Sequence, residues 1–146
     1  GVSVNMKIIT LLFLTVLMFG CSNEGQMISV NPDRVSQLEA LLEEKKFVES
    51  SVYFYPGAPD EVTRLQAELV INAAIVSILK VSESEISEDE FWGIIEVAAR
   101  ALSVMDSEEM DRGFTYFEQI MDVFEIASSG GRLNQWRYGF DPTIQH

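Results

Sequence analysis

Apolar and polar positions alternate between continuous runs and helical spacing along this chain. From Ile8 to Phe19, ten apolar residues and two threonines follow one another without a charge. Periodicity of helical type begins at Val35, Leu38, Leu41 and Leu42. Asn31-Pro32-Asp33 stands before them as an N-cap, a first-turn proline and an acid on the positive end of the helix dipole. The spacing predicts a helix over 32–46, with Lys45-Lys46 at its negative end. A second helix is predicted from Pro59-Asp60-Glu61 to about Lys80. Between Leu69 and Leu79 nine of its eleven residues are apolar, the exceptions being Asn72 and Ser77. A helix apolar on nearly every side is expected to be surrounded by protein, and eleven residues fall short of the roughly 20 that a membrane span needs.

Ser87 and Glu90 form a capping box, and Ile86 and Phe91 are placed for the hydrophobic staple around it. Phe91, Ile94, Ile95, Ala98, Leu102 and Met105 then predict a helix over about 88–104 with one buried face. Asp106 and Glu109 repeat the capping pattern after a very tight turn. Met110, Phe114, Phe117, Met121 and Phe124 make the apolar seam of a fourth helix, which Ser128-Ser129-Gly130-Gly131 is expected to end.

Two segments lie outside this pattern. Val52-Tyr53-Phe54-Tyr55, followed by Pro56-Gly57, reads as an aromatic loop with a short extended piece. Leu133 to Pro142 carries Trp136, Tyr138 and Phe140 and is expected to fold back on the helices, meeting the Val52–Tyr55 loop. The fold expected is all-α: a four-helix up-down bundle with the aromatic C-terminal segment packed on it, over 31–142, followed by a tail at 143–146.

The leading run has a different character. Lys7 precedes it, small Gly20 and then Cys21 follow it, and at twelve residues it is too short to span a bilayer. It reads as the h-region of a signal peptide over 1–20, with 1–5 as an upstream extension, and 21–30 as a tether. Cys21 directly after the h-region resembles the acylated cysteine of a bacterial lipoprotein signal. Met18 and Phe19 stand where that signal favours Leu and a small residue, and Leu17 is one place early. Ordinary cleavage and an uncleaved anchor are the alternatives. Ser22, with no Asp beside the cysteine, resembles cargo sent to the outer membrane. Cys21 is the chain's single cysteine, so with it in the anchor the domain has no disulfide and no thiol chemistry.

Charge narrows the partners. Of ten basic and 23 acidic side chains, Lys7 alone precedes Cys21, so the remainder is more acidic than the overall net of −13. Such a surface repels nucleic acid and anionic headgroups. No nucleic-acid partner is expected; the expected partners are the membrane, through the N-terminal lipid, and an envelope protein.

The elements Tyr55-Pro56-Gly57-Ala58-Pro59, Asp106-Ser107-Glu108-Glu109, Tyr116-Phe117-Glu118 and Leu133 to Pro142 resemble a small uncharacterised bacterial helical family, a domain of unknown function. The resemblance covers about Phe47 to Pro142 and implies domain limits without a mechanism.

Candidate chemistry is sparse. His146 is the single histidine, with Thr143 three places before it, so a Glu-x-x-His di-iron pair, a Ser-His-Asp triad and a histidine zinc site are not expected. No metal and no cofactor is expected. Asp111, Glu118, Asp122 and Glu125 lie along one stripe of the fourth helix, which spreads carboxylates that a divalent ion would need gathered. Glu68 and Asn72, with Glu96 and Arg100, are candidates for a small polar pocket; the plainer reading is a satisfied structural network. Tyr53, Tyr55, Trp136, Arg137, Tyr138 and Phe140 are candidates for an interaction surface, being the aromatic and arginine types that anchor interfaces; the plainer reading is that the rings cover the helices. The expectation is a non-enzymatic cell-envelope lipoprotein with a protein-interaction or structural domain, at the outer membrane facing the periplasm. A periplasmic small-ligand-binding domain is the alternative, and a carboxylate-based hydrolase the second.

Overall fold

A computed structural model of the chain describes residues 25–81 and 84–139. The signal segment, Cys21, Phe140, His146 and the 143–146 tail lie outside the described residues. The structure is mostly helical. In chain order it runs β1 (Met27–Ser29), α1 (Pro32–Glu43), α2 (Glu61–Val81), β2 (Glu85–Ser87), α3 (Glu88–Leu102), α4 (Ser107–Val123) and α5 (Arg132–Gly139).

Local signals account for most helix starts. The Asn31 side chain accepts from the Arg34 N–H at 2.9 Å, with Pro32 at the first helical position. Asp60 does the same for α2, accepting from the Thr63 N–H at 2.7 Å, and that hydrogen bond holds its carboxyl below the usual range. Ser87 accepts from the Glu90 N–H at 3.1 Å, and Ile86 and Phe91, the staple pair, are both fully buried. Asp106 occupies the N-cap of α4, but its side chain makes no capping bond.

One apolar core joins the four longer helices. Leu38 and Leu41 of α1, Ile71, Ile75 and Ile78 of α2, Phe91, Ile95 and Leu102 of α3, and Phe117 and Ile120 of α4 are buried in it. Helix α2 packs on α1, α3 and α4, while α5 lies on α3 and α4. Gly113 lets α4 approach α3: a Cβ there would stand 2.3 Å from the Leu102 Cδ1.

Four expectations need correction. The stretch 27–29, read as tether, is a strand, pairing antiparallel with β2 through Met27–Ser87, Ile28–Ile86 and Ser29–Glu85, so a two-stranded sheet joins the helices. The C-terminal segment is itself helical over α5, with Trp136 buried. Helix α2 is not surrounded, because Val62, Leu65, Leu69 and Val81 are exposed on it. Helix α4 stops at Val123, ahead of the glycines. There Glu125, in the left-handed conformation at φ 57°, donates to the Asp122 carbonyl and the Ile126 N–H reaches the Met121 carbonyl at 2.9 Å. This is a Schellman termination with glutamate where glycine is usual. Gly130 and Gly131, with φ of 62° and 84°, instead turn the chain into α5.

Candidate interaction surface

Between α1 and α2 the chain doubles back on itself. Ser50 and Tyr55 exchange two backbone hydrogen bonds of 2.9 Å, closing a turn over Ser51-Val52-Tyr53-Phe54. Phe47 and Phe54 both take positive φ, 58° and 52°, at the base and tip of this hairpin. Side-chain residues seldom adopt that conformation, so packing elsewhere must hold it.

The hairpin base supplies that packing. The Phe47 ring lies against Tyr116 at 5.2 Å between centroids and edge-on to Tyr55 at 6.3 Å. The Phe47 N–H donates to the Tyr116 hydroxyl at 3.0 Å, and the Tyr55 hydroxyl donates to the buried Glu109 carboxylate at 2.9 Å. Burial first, and then the Glu109 carboxylate, push the Tyr55 phenol far above its ordinary pKa. Burial pushes Tyr116 up as well. Both phenols therefore stay protonated at neutral pH and act as hydrogen-bonding struts.

Arg112 completes the arrangement. Its guanidinium lies between the rings of Tyr53 and Tyr116, 4.1 and 4.0 Å from their centroids, and donates to the Thr115 hydroxyl. Buried and stacked on two electron-rich faces, it fixes the side chain of the tip residue Tyr53 onto α4. The Phe54 ring beyond is 94% exposed, and Val52 beside it 78%. A recess of about 170 Å³ opens next to them, with Pro56, Glu108, Asp111 and Thr115 on its walls.

Helix α5 reaches the other flank of α4. Arg137 donates through Nε to the Asp111 carboxylate, and the ion pair raises the guanidinium pKa. Trp136 packs edge-on to Trp92 at 6.3 Å, and Arg132 covers the opposite part of Trp92 at 4.8 Å. Asp111 walls both the hairpin recess and a second recess on the α5 side, so the two aromatic segments flank one stretch of α4.

The predicted interaction residues are thus sorted by the fold. Tyr55 and Trp136 are buried, Arg137 is engaged in an ion pair, and Tyr53 and Tyr138 keep exposed surface. Phe54, one of the aromatic residues the sequence singles out, is the one that the hairpin's geometry leaves exposed at the tip. Glu109 also escapes sequence reasoning, since its spacing from Asp106 imitates a capping box while the side chain turns inward.

The four polar-pocket candidates are divided. Glu68 accepts from the Lys46 N–H at 2.7 Å and from Arg64 at 2.8 Å; Arg64 also pairs through two nitrogens with Glu61. Burial opposes the Glu68 charge, but these donors outweigh it and hold the carboxyl below its usual range. Lys46 is fully buried, with Nζ on the Leu41 and Glu44 carbonyls at 2.5 and 2.9 Å, so it closes the end of α1. Asn72 Oδ1 is buried without a hydrogen-bond partner among the described residues. Glu96 and Arg100 pair with each other at 3.0 Å on the outer side of α3. Of the acidic stripe, Asp111 and Glu125 hold arginines, Arg137 and Arg34, while Glu118 and Asp122 are exposed. Among the described residues no cluster of three acidic, histidine or cysteine side chains is placed to hold a metal ion.

A family model described as a domain of unknown function (DUF4844) matches residues 29–141. No curated protein and no solved structure matches the chain. The match starts at the end of β1, so α1 lies inside the family domain together with the stretch that carried the resemblance, from Phe47 as far as Asp141.

Proposed function

The chain belongs to the DUF4844 family, and from its own geometry we propose a non-enzymatic cell-envelope lipoprotein that binds another protein through the aromatic tip Val52-Tyr53-Phe54. One observation carries this reading: Phe54 is 94% exposed on a turn fastened at both ends. An exposed ring on a mobile loop would lose much of its binding energy to ordering, whereas this one is already held. Rigid aromatic residues beside arginine are what interface anchors are made of. Glu108 and Asp111 on the recess wall favour a partner offering an apolar socket with a basic rim.

The Cys21 signal supports export and lipid anchorage, and the contacts of α2 with α1, α3 and α4 support reading α1–α4 as an up-down bundle.

The test is to place a photo-reactive phenylalanine analogue at position 54 of the full chain in intact cells. The expected result is a discrete covalent adduct that is absent when the probe sits at Glu39 on exposed α1. Equal labelling from both positions, or none from position 54, would overturn the reading. Processing sensitive to globomycin, and palmitate labelling lost in Cys21→Ser, test the anchor separately.

A further inference from the structure

Helices α2 and α3 leave an apolar groove of about 520 Å³ open between them. Leu69, Ala73 and Val81 line it from α2, Gly93 and Val97 from α3; Ser77 and Glu90 are its polar contributors. Leu69 is 68% and Val97 70% exposed, and exposed Val62, Leu65 and Val104 extend the apolar face beyond the far end. By length and composition α2 could cross a membrane. Its opposite side, however, is Ala67, Ile71, Ile75 and Ile78, all built into the core, so a spanning α2 would dismantle the domain. What suits this helix is contact with lipid along one face.

The position of the leader says what covers that face. The Gln26 carbonyl accepts from the Glu88 N–H at 2.9 Å, which holds the start of the described chain at the first turn of α3. Glu90, in that same turn, and Gly93, in the next, line the near end of the groove, while Gln26 and Glu88 border a separate recess beside Trp92. Cys21 stands five residues before Gln26, a reach of at most about 17 Å even when fully extended. Helix α2 alone is about 30 Å long. A lipid on Cys21 therefore keeps the start of α3, and with it the near end of the groove, within that reach of the membrane surface, which raises the effective concentration of lipid there.

We infer that the α2–α3 face is the domain's seat on the bilayer, its apolar side chains resting in the interfacial region of zwitterionic lipid. This rests on the lipid-anchor reading of Cys21. Charge fits the choice of lipid: the domain as a whole is strongly acidic, while the face itself carries one carboxylate, Glu90, at the anchored end. A second copy, held on the same bilayer by its own anchor, must approach against the repulsion between two strongly acidic domains, which zwitterionic lipid does not impose.

Because acylation consumes the single native cysteine, one new cysteine can carry a nitroxide. The acylated full-length protein is reconstituted into phosphatidylethanolamine–phosphatidylcholine vesicles with the label at Leu69→Cys, Val97→Cys or, as control, exposed Glu118→Cys. The expected result is co-flotation with vesicles and a several-fold higher ratio of oxygen to aqueous-quencher collisions at 69 and 97 than at 118. Co-flotation with the same aqueous ratio at all three overturns the seat and leaves the anchor standing. Dipolar broadening at 97 between labelled molecules assigns the face to a second copy and also overturns it. Failure of the unlabelled protein to co-float removes the anchor, and this inference with it.

Discussion

The Tyr55 hydroxyl reaches the Glu109 carboxylate at 2.9 Å across 54 positions of sequence, and both groups are buried. One hydrogen bond thereby ties the hairpin to the first turn of α4. Tyr55→Phe leaves the carboxylate buried without this donor, a loss of about 1–3 kcal/mol in chemical unfolding. The direct readout is faster amide exchange at Ser50 and Tyr55, whose N–H groups close the hairpin.

Alkaline pH tests the same struts. Tyr55 and Tyr116 both have folded-state pKa values above the ordinary value of about 10. As pH rises through 10 the unfolded chain releases these protons while the folded chain retains them. Fewer protons on the unfolded chain mean that stability falls with rising pH. Their contribution is complete below pH 10 and lost progressively above it. In the double variant Tyr55→Phe, Tyr116→Phe the alkaline decline is shallower, as a series of unfolding curves between pH 9 and 11 shows.

Arg112→Lys keeps the charge and removes the planar group lying between Tyr53 and Tyr116. A loss of about 1–2 kcal/mol is expected, since an ammonium stacks on two rings less well than a guanidinium. Arg112 Nε has no hydrogen-bond partner among the described residues, so the deficit reports on stacking and the Thr115 contact. Thermal unfolding measures it, and the Thr115→Ala background separates the two.

Acid acts on Glu68. Its folded pKa lies below the ordinary 4.5 because the Lys46 N–H and Arg64 prevail over burial. The stability it contributes is present above pH 4.5 and is lost as pH falls through the folded value. Glu68→Gln is expected to cost about 1–3 kcal/mol at neutral pH, and to flatten the dependence below pH 4.5. Chemical unfolding at pH 7 and pH 3 checks both parts.

Glu125→Gly is expected to stabilise. A glutamate in the left-handed region gives way to the residue that adopts it without cost, for a gain of about 0.5–1 kcal/mol. The Arg34–Glu125 ion pair is lost, but the carboxylate is largely exposed and offsets little. A rise in Tm is the readout; Glu125→Val, β-branched in the same conformation, moves it the other way.

What was legible in the chain was local. Asn31 and Ser87 cap as their spacing indicates, and Met110, Phe114, Phe117, Met121 and Phe124 are all buried. The misses are contacts made at a distance. Strands of three residues carry no usable period, and β1 acquires its identity from Ile86, 58 positions on from Ile28. Glu109 sits where a capping box would put it, and only Tyr55 explains its inward turn. Lys46 was placed at a helix end, where its ammonium does reach the Leu41 carbonyl; the contact that spacing does not announce is Glu68 of α2 accepting from its backbone N–H. Helix α5 buries Trp136 alone, which is too little apolar periodicity to announce a helix. The candidate site shares this character, because Phe54 is prominent through the distant contacts that pin Tyr55 to Glu109 and Tyr53 to Arg112.

The pairing of β1 with β2 also sets how the domain bears mechanical load. A pull on the chain ahead of Gln26 arrives first at the Gln26–Glu88 hydrogen bond, then at Met27–Ser87, and so along the strand. Antiparallel pairs loaded from one end open one after another, like a zip, instead of sharing the force. Tension therefore peels away a three-residue strand and uncovers Ile86 before it strains the helices, which makes this small sheet the domain's mechanical fuse.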